Sequence, residues 1–184
     1  ILCETTRRID SGHPFALAYL DVDNFKSFND RYGYGRGDEV LVVTCRLLTT
    51  VVSELAGTEG FVGHVGGDDF VFMSDPATID AICQTVIKRF DLVIPDFYDR
   101  EDRLRGYIDS VDRKGNHEQF PLMTLSIAVV TNEYAPIKHP GDVSKIVSQL
   151  KKQVKAMNGS FYLKDQRIND RQIEPADSPA GLPQ

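Results

Sequence analysis

The chain has 184 residues, 41% of them hydrophobic and 26% charged, with a formal net charge of -6. That is the profile of one globular domain large enough to bury its own core. The acidic balance counts against a duplex DNA binder, which needs a basic face, but not against a nucleotide that arrives with Mg²⁺.

Cys3, Cys45 and Cys83 are odd in number and widely spaced, which points to a reducing compartment; Cys45 and Cys83 lie in apolar-periodic segments and are expected in the core. The histidines show no paired zinc spacing with them. No apolar run approaches membrane-spanning length and no signal peptide is visible. A cytoplasmic domain without membrane contact is expected, although a full-length protein could be membrane-anchored. The chain opens on Ile1 inside an expected helix, Leu2 to Ile9, so it reads as a piece of a longer protein.

Phe15 to Leu20 is an uninterrupted apolar run, expected as a strand buried on both faces. Asp21-Val22-Asp23 ends it, and Asp23 or Asn24 is expected to cap a short helix through Asp30, broken by Gly33, Gly35 and Gly37. A longer helix follows from Asp38 to about Ala56, with Leu41, Cys45, Leu48, Val52 and Leu55 as its apolar stripe. Gly57 to Gly60 is a turn. Phe61 to Val65 and Phe70 to Met73 are the arms of a tight hairpin around Gly66-Gly67-Asp68-Asp69.

Asp75-Pro76 predicts a cap and a proline opening a helix, with Ile79, Ile82, Cys83, Val86, Ile87 and Phe90 on its buried face. Residues 95–121 are polar and charged, with a strand at Tyr107 to Val111 and a turn at Asp112 to Gly115. Met123 to Val130 is a strand, Asp142 to Met157 a helix and Phe161 to Leu163 a last short strand. After about Gln166 the polar, proline-bearing tail is expected to be disordered. The element order predicts an α/β (α+β) fold of the ferredoxin-like type, a mainly antiparallel central sheet flanked by helices.

Two glycines running straight into two carboxylates describe a turn that a ligand can approach closely. Alone, this is also what an ordinary acidic hairpin turn looks like. Asp21-Val22-Asp23 alone is equally a strand end with a helix cap. Together they are more specific. A ferredoxin-like sheet puts the first strand beside such a hairpin, so Asp21 and Asp68 converge, and paired carboxylates on neighbouring strands can hold the divalent metal of a phosphoryl transfer.

Asp21-Val22-Asp23-Asn24-Phe25-Lys26, Phe28-Asn29-Asp30, Tyr32-Gly33 and Gly37-Asp38 precede Gly66-Gly67-Asp68-Asp69-Phe70 in one register. This run resembles the GGDEF family, the diguanylate cyclase domains of bacterial signalling, over roughly residues 1 to 166. The resemblance implies a nucleotidyl cyclase palm-type fold and the condensation of two GTP into cyclic di-GMP. It implies Mg²⁺ or Mn²⁺ on Asp21, Asp68 and the Val22 carbonyl, with Asp68 helping to deprotonate the attacking hydroxyl and Asp69 in the other acidic position. It implies a phosphate cradle at Asn24, Phe25 and Lys26, close passage of substrate over Gly66 and Gly67, and guanine contacts from Asn29 and Asp38. A carboxylate can accept from guanine N1–H and N2–H, and an amide can both donate and accept. Lys155 resembles the family lysine that reaches the terminal phosphate; a solvated face shared with Lys151 and Lys152 is an equal alternative. As partners the resemblance implies GTP, a homodimer in which two half-sites face each other, and a covalently attached sensory or regulatory domain.

The chain departs from the family's pattern in three places. Asp69 stands where glutamate is usual, one methylene shorter. His64 stands where active members commonly carry arginine, so a permanent charge is replaced by a titrating one. Gly57 to Gly60 reads Gly-Thr-Glu-Gly where the RxxD product-inhibition motif would fall, so feedback by cyclic di-GMP at that surface is not expected. The rival reading is a catalytically weak or inactive module that binds GTP and regulates or dimerises an attached domain. A different nucleotidyl transferase on the same palm-like fold, such as a polymerase or an adenylyl cyclase, is a third.

Overall fold

The structure, a computed structural model, describes residues 1–111 and 117–166. α1 (Leu2–Ser11) stops at Gly12 and leads into β1 (Ala16–Asp23). The short α2 (Phe25–Tyr32) and the long α3 (Tyr34–Ala56) follow, then the hairpin β2 (Phe61–Gly66) and β3 (Asp69–Ser74). α4 (Ile79–Val93) and α5 (Arg100–Arg105) come next, followed by the strand pair β4 (Tyr107–Val111) and β5 (His117–Pro121). β6 (Thr124–Thr131), α6 (Pro140–Val154) and β7 (Phe161–Lys164) complete the order.

The main sheet runs β2-β3-β1-β6-β7, antiparallel except for the parallel β6–β7 edge, and β4 and β5 form a separate two-stranded sheet. Because side chains alternate across a strand, β1 feeds two cores. Ala16, Ala18, Leu20 and Val22 join Phe70, Phe72, Leu125 and Ile127 under α2, α3 and α4. Phe15 and Leu17 join Val71, Met73 and Val130 under α6, with Ile9 of α1 packed against them. The expected α+β sandwich is therefore present, with helices on both faces. Cys83 is buried in the first core, Cys45 half-buried at its margin and Cys3 exposed, and all three are free thiols.

Several boundaries differ from the sequence reading. β1 continues through Asp23, so Asp21 lies inside the strand, opposite Asp69 on one side and Ser126 on the other. The glycine cluster does not keep the chain out of a helix: Gly33 alone separates α2 from α3, and Gly35 and Gly37 lie within the first turns of α3. Packing overrides glycine's poor helix propensity there, because α2 passes so close that a Cβ on Gly37 would sit 1.8 Å from Asn29 Oδ1. The buried stripe of α3 is Val40, Thr44, Leu48, Val51 and Val52, with Leu41 and Cys45 at its margin and Leu55 exposed. Asp75 and Pro76 do not open α4. Asp75 C=O accepts the Thr78 N–H at 3.1 Å, closing a turn before the helix begins at Ile79.

α3 with the turn that follows it (Tyr34–Glu59) is long and apolar enough to cross a membrane, contrary to the expectation that no segment is. Its buried stripe packs it on the sheet as a core helix. α5 and β5 were not foreseen, and the turn expected at 112–115 lies outside the described residues, as does the tail from 167 to 184. α6 starts at Pro140 and not at Asp142: His139 accepts the Gly141 N–H at 2.9 Å through Nδ1, and Asp142 accepts the His139 N–H at 3.1 Å.

Leu48 is fully buried where α3 meets the sheet. Leu48→Ala is expected to cost about 2–5 kcal/mol of unfolding free energy, measurable as a lower urea midpoint with an unchanged slope.

Candidate active site

Asp21 is the buried centre of the site, 6% exposed. The β1–β3 register places it directly across from Asp69, and both side chains project from the sheet face that α6 covers. Lys151 on α6 and Lys155, one turn further on at its C-cap, meet them there. Lys151 Nζ lies 2.9 Å from Asp21 Oδ2 and 3.1 Å from Asp69 Oδ1, and 4.4 Å from the centre of the Tyr19 ring. Lys155 Nζ lies 2.6 Å from Asp21 Oδ1 and 3.8 Å from Asp23 Oδ1. Lys155 remains 44% exposed, yet its ammonium group is turned to Asp21.

Asp68 is half-buried at the hairpin tip. Its carbonyl accepts the Val22 N–H at 3.3 Å, tying the tip to β1. The C=O and N–H of a strand residue project to the same side, so the Val22 carbonyl also turns toward the hairpin. Gly66 (φ 140°) and Gly67 (φ 59°) supply backbone that other residues adopt only with strain, and the space where their Cβ atoms would stand is open. His64 is exposed: its Nε2 is 2.8 Å from the Gly67 carbonyl and its ring stacks on Phe70 at 4.7 Å. It thus braces the turn from within.

The α2 N-terminus opens beside the end of β1. Asn24 adopts a left-handed conformation (φ 61°), alone among the described non-glycine residues, and makes no side-chain cap bond. Asp23 does not cap the helix either. Its Oδ2 accepts from Ser126 Oγ at 2.7 Å and Thr124 Oγ1 at 3.1 Å on β6. The first N–H groups of α2 thus lack the side-chain oxygen that usually meets them, which is the condition for an anion site at a helix start. Phe25 is buried and anchors this turn while Lys26 is exposed. Asn29 projects its Oδ1 into a buried position without a hydrogen-bond partner, and Asp38 is exposed on α3.

The electrostatics follow from crowding. Burial pushes the Asp68 carboxyl up, and the neighbouring Asp21 and Asp69 push it further. Burial likewise raises Asp23, the Ser126 bond opposing and Asp21 reinforcing the rise. Burial alone would raise Asp21 too, but its pairing with the Lys155 and Lys151 ammonium groups outweighs it and holds this carboxyl below its ordinary range. Burial depresses Lys151, but its pairing with Asp21 and Asp69 wins and raises it. Four carboxylates thus face two ammonium groups, an excess of negative charge suited to a divalent cation. Asp21 Oδ1 is buried and accepts no aligned hydrogen bond; its 2.6 Å neighbour Lys155 makes only an ionic contact. Among the described residues no cluster of three His, Cys, Asp or Glu side chains is disposed to hold a metal alone. Mg²⁺ commonly takes only one or two carboxylates and completes its shell with phosphate and water, so Asp21, Asp68 and the Val22 carbonyl fit such an ion.

Lys151 and Tyr19 were not singled out from the sequence. The four-residue spacing of Lys151 and Lys155 was the available signal, but a lysine pair on a helix is ordinarily a solvated face. In metal-free buffer, Lys151→Met is expected to destabilise the protein at neutral pH by leaving Asp21 under-compensated. A carboxyl held low contributes stability above its unfolded value and loses it as pH falls through its folded value. The difference between wild type and Lys151→Met in urea midpoint should therefore shrink on acidification below about pH 4.

The sequence profile described as "Diguanylate cyclase, GGDEF domain" matches residues 2–102, more than half of the chain. A diguanylate cyclase of Vibrio cholerae serotype O1 is 31% identical over 80 residues, 42% of this chain and 24% of that protein. Diguanylate cyclase DgcP of Escherichia coli K12 is 37% identical over 62 residues, 34% of this chain and 17% of that protein. The chain thus matches a quarter or less of the length of these two relatives. Among solved structures, the active GGEEF domain of a Vibrio cholerae diguanylate cyclase superimposes with a TM-score of 0.64 at 20% identity, covering 90% of this chain and 91% of that one. The GGDEF domain of DgcB from Caulobacter crescentus, in complex with c-di-GMP, gives a TM-score of 0.57 at 19% identity over 89% and 84% of the two chains. The profile match over more than half of its length shows that the chain belongs to the GGDEF family of diguanylate cyclase domains.

Proposed function

We propose that residues 1–166 form a diguanylate cyclase domain that joins two GTP molecules into cyclic di-GMP with Mg²⁺ or Mn²⁺, at the interface of a homodimer in the cytoplasm. The observation that carries this reading is the convergence of Asp21 and Asp68 beside an uncapped helix start, with two lysines from α6 closing the other side. β6, α6 and β7 lie beyond the residues matched by the family profile, yet they complete the sheet and deliver both lysines. This supports a domain extending to residue 166.

In each transfer the 3′-oxygen of one GTP forms a bond to the α-phosphorus of the other. The bond from that phosphorus to the bridging oxygen breaks, and pyrophosphate leaves. Asp21, Asp68 and the Val22 carbonyl would hold the metal, which when bound would neutralise charge at the phosphates and acidify the attacking hydroxyl. Asp68, made more basic by burial and by its acidic neighbours, also accepts the proton of the 3′-hydroxyl. The N–H groups of Asn24 and Phe25, with Lys26, receive the phosphates. Lys151 and Lys155 exchange their carboxylate contacts for the triphosphate as it enters. Asn29 contacts the guanine through its amide, and Asp38 accepts from the N1–H and N2–H of the base. Positioning and charge neutralisation supply most of the acceleration. Gly57 to Glu59 forms a short 3₁₀ turn without the RxxD residues, so product inhibition at that surface is not part of the proposal.

One observation favours the second reading, a GTP-binding regulatory module. His64 is engaged with the Gly67 carbonyl and Asp69 with Lys151, so both variant positions are occupied within the chain. Product analysis separates the two. With GTP, ATP and Mg²⁺ present, cyclic di-GMP identified by chromatography supports the cyclase, while bound but unchanged GTP supports the module. Asp68→Asn is expected to lower turnover by at least ~100-fold, the scale of removing a catalytic acid–base group. Rate per domain should fall steeply on dilution, and a flat profile down to monomer would sink the dimeric mechanism. His64→Arg is expected to raise turnover by restoring a permanent charge; unchanged or lower turnover would count against a catalytic role at position 64.

A further inference from the structure

The sequence assigns no role to the charged segment 95–121, but the fold packs its first half against the corner between α2 and α3. Asp102, on α5, is 1% exposed, and a carboxylate so buried requires partners. It accepts from the Tyr32 hydroxyl through Oδ2 and from Arg105 through Oδ1, and Arg31 Nε lies 3.6 Å away. Asp99, just ahead of α5, accepts from both Nη atoms of Arg36 at 3.0 Å, and its N–H donates to the Tyr32 hydroxyl at 3.4 Å. Arg36 lies 4.8 Å from the centre of the Tyr32 ring, and the Phe28, Tyr32 and Tyr98 rings pack mutually at 4.8 to 5.7 Å. Burial and the Asp102 bond push the Tyr32 phenol up to about 12, so it remains a donor throughout the physiological range.

These ties grip both sides of Gly33. Arg31 and Tyr32 end α2, one turn after Asn29; Arg36 sits in the first turn of α3, two residues before Asp38. Gly33 itself (φ 86°) makes a one-residue junction; the helices also touch where Asn29 meets Gly37, and the ties from α5 add a second hold on the residues immediately either side of the junction. Asn29 and Asp38 stand on opposite arms of that junction.

We propose that Asp102 and Asp99 are positioning residues that clamp the α2–α3 corner, hold Asn29 and Asp38 at a fixed separation, and thereby set selectivity for guanine. They act through Tyr32, Arg31 and Arg36 and do not touch the nucleotide. The inference rests on the GTP reading above.

The test compares binding of GTP with binding of inosine triphosphate, which lacks the 2-amino group read by the Asn29–Asp38 pair. A hydrogen bond from that group to a carboxylate is worth at least ~10-fold in affinity, so wild type should prefer GTP by that margin. Asp102→Asn and Asp99→Ala should each bring the preference below ~3-fold, since a reader displaced from its partner loses most of the bond. Leu48→Ala, destabilised at a site remote from the corner, should keep the wild-type ratio. If Asp102→Asn fails to fold, the exposed pair Asp99→Ala and Arg36→Gln decides. Folded variants with an unchanged GTP-to-inosine-triphosphate ratio overturn the proposal, as does an equal loss of ratio in Leu48→Ala. A wild type that binds neither nucleotide overturns the GTP reading itself, and this inference with it.

Discussion

A carboxylate buried in the middle of a sheet is the constraint around which this domain is arranged. Asp21 sits on the central strand, flanked by β3 and β6 and covered by α6. Such a group is tolerable only if charge or hydrogen bonds meet it. Two lysines do so, and their stems and positions fix the far end of α6 over the sheet. Neutralisation is incomplete because Asp23, Asp68 and Asp69 crowd the same corner. The surplus negative charge and the open helix start of α2 are the two features on which the proposed GTP and metal site rests.

The two faces of β1 divide the labour. Its even-numbered residues, from Ala16 to Val22, hold α2, α3 and α4 through one core. Tyr19, Asp21 and Asp23 on the opposite face reach toward α6 or the polar residues of β6. A change of one residue in register would exchange these sets and bury the acidic one beneath α3. The antiparallel pairing with β3 therefore specifies the site as much as the side chains do. The Val22–Asp68 backbone bond carries that register on to the hairpin tip. On the other core, Gly37 lets α3 approach α2 until Asn29 is enclosed, so the same close contact that packs the helices also orients a buried amide.

Much of the architecture was legible in residue pattern. The apolar runs at β1 and β6 and the glycine-linked hairpin are short-range signals that local physics reads directly. Boundaries were less legible where tertiary contacts outweigh propensity. Glycines at 35 and 37 argue against a helix in isolation, and the contact with Asn29 accounts for the one at 37. Asp75-Pro76 satisfies the local rule for a helix start, yet the same residues close a turn. The β5 strand and α5 come from polar segments whose periodicity is weak, and their stability derives from pairing with β4 and from the buried Asp102.

By itself the sequence carried the family resemblance, through the motif residues from Asp21 to Phe70, and most of the element order, with Asp21 on the first strand and Asp68 at the tip of the neighbouring hairpin, through periodicity and turn residues along the chain. Tertiary structure alone decided which cations answer those carboxylates. Lys151 and Lys155 are more than 120 residues from Asp21, and nothing local distinguishes them from Lys152, which is exposed one position away. It also decided that Asp23 turns to Ser126 and Thr124 instead of capping α2, and that residues near position 100 grip the corner carrying Asn29 and Asp38. Contacts between charges distant along the chain depend on where the backbone brings them, and burial then gives them the strength that water would otherwise screen away.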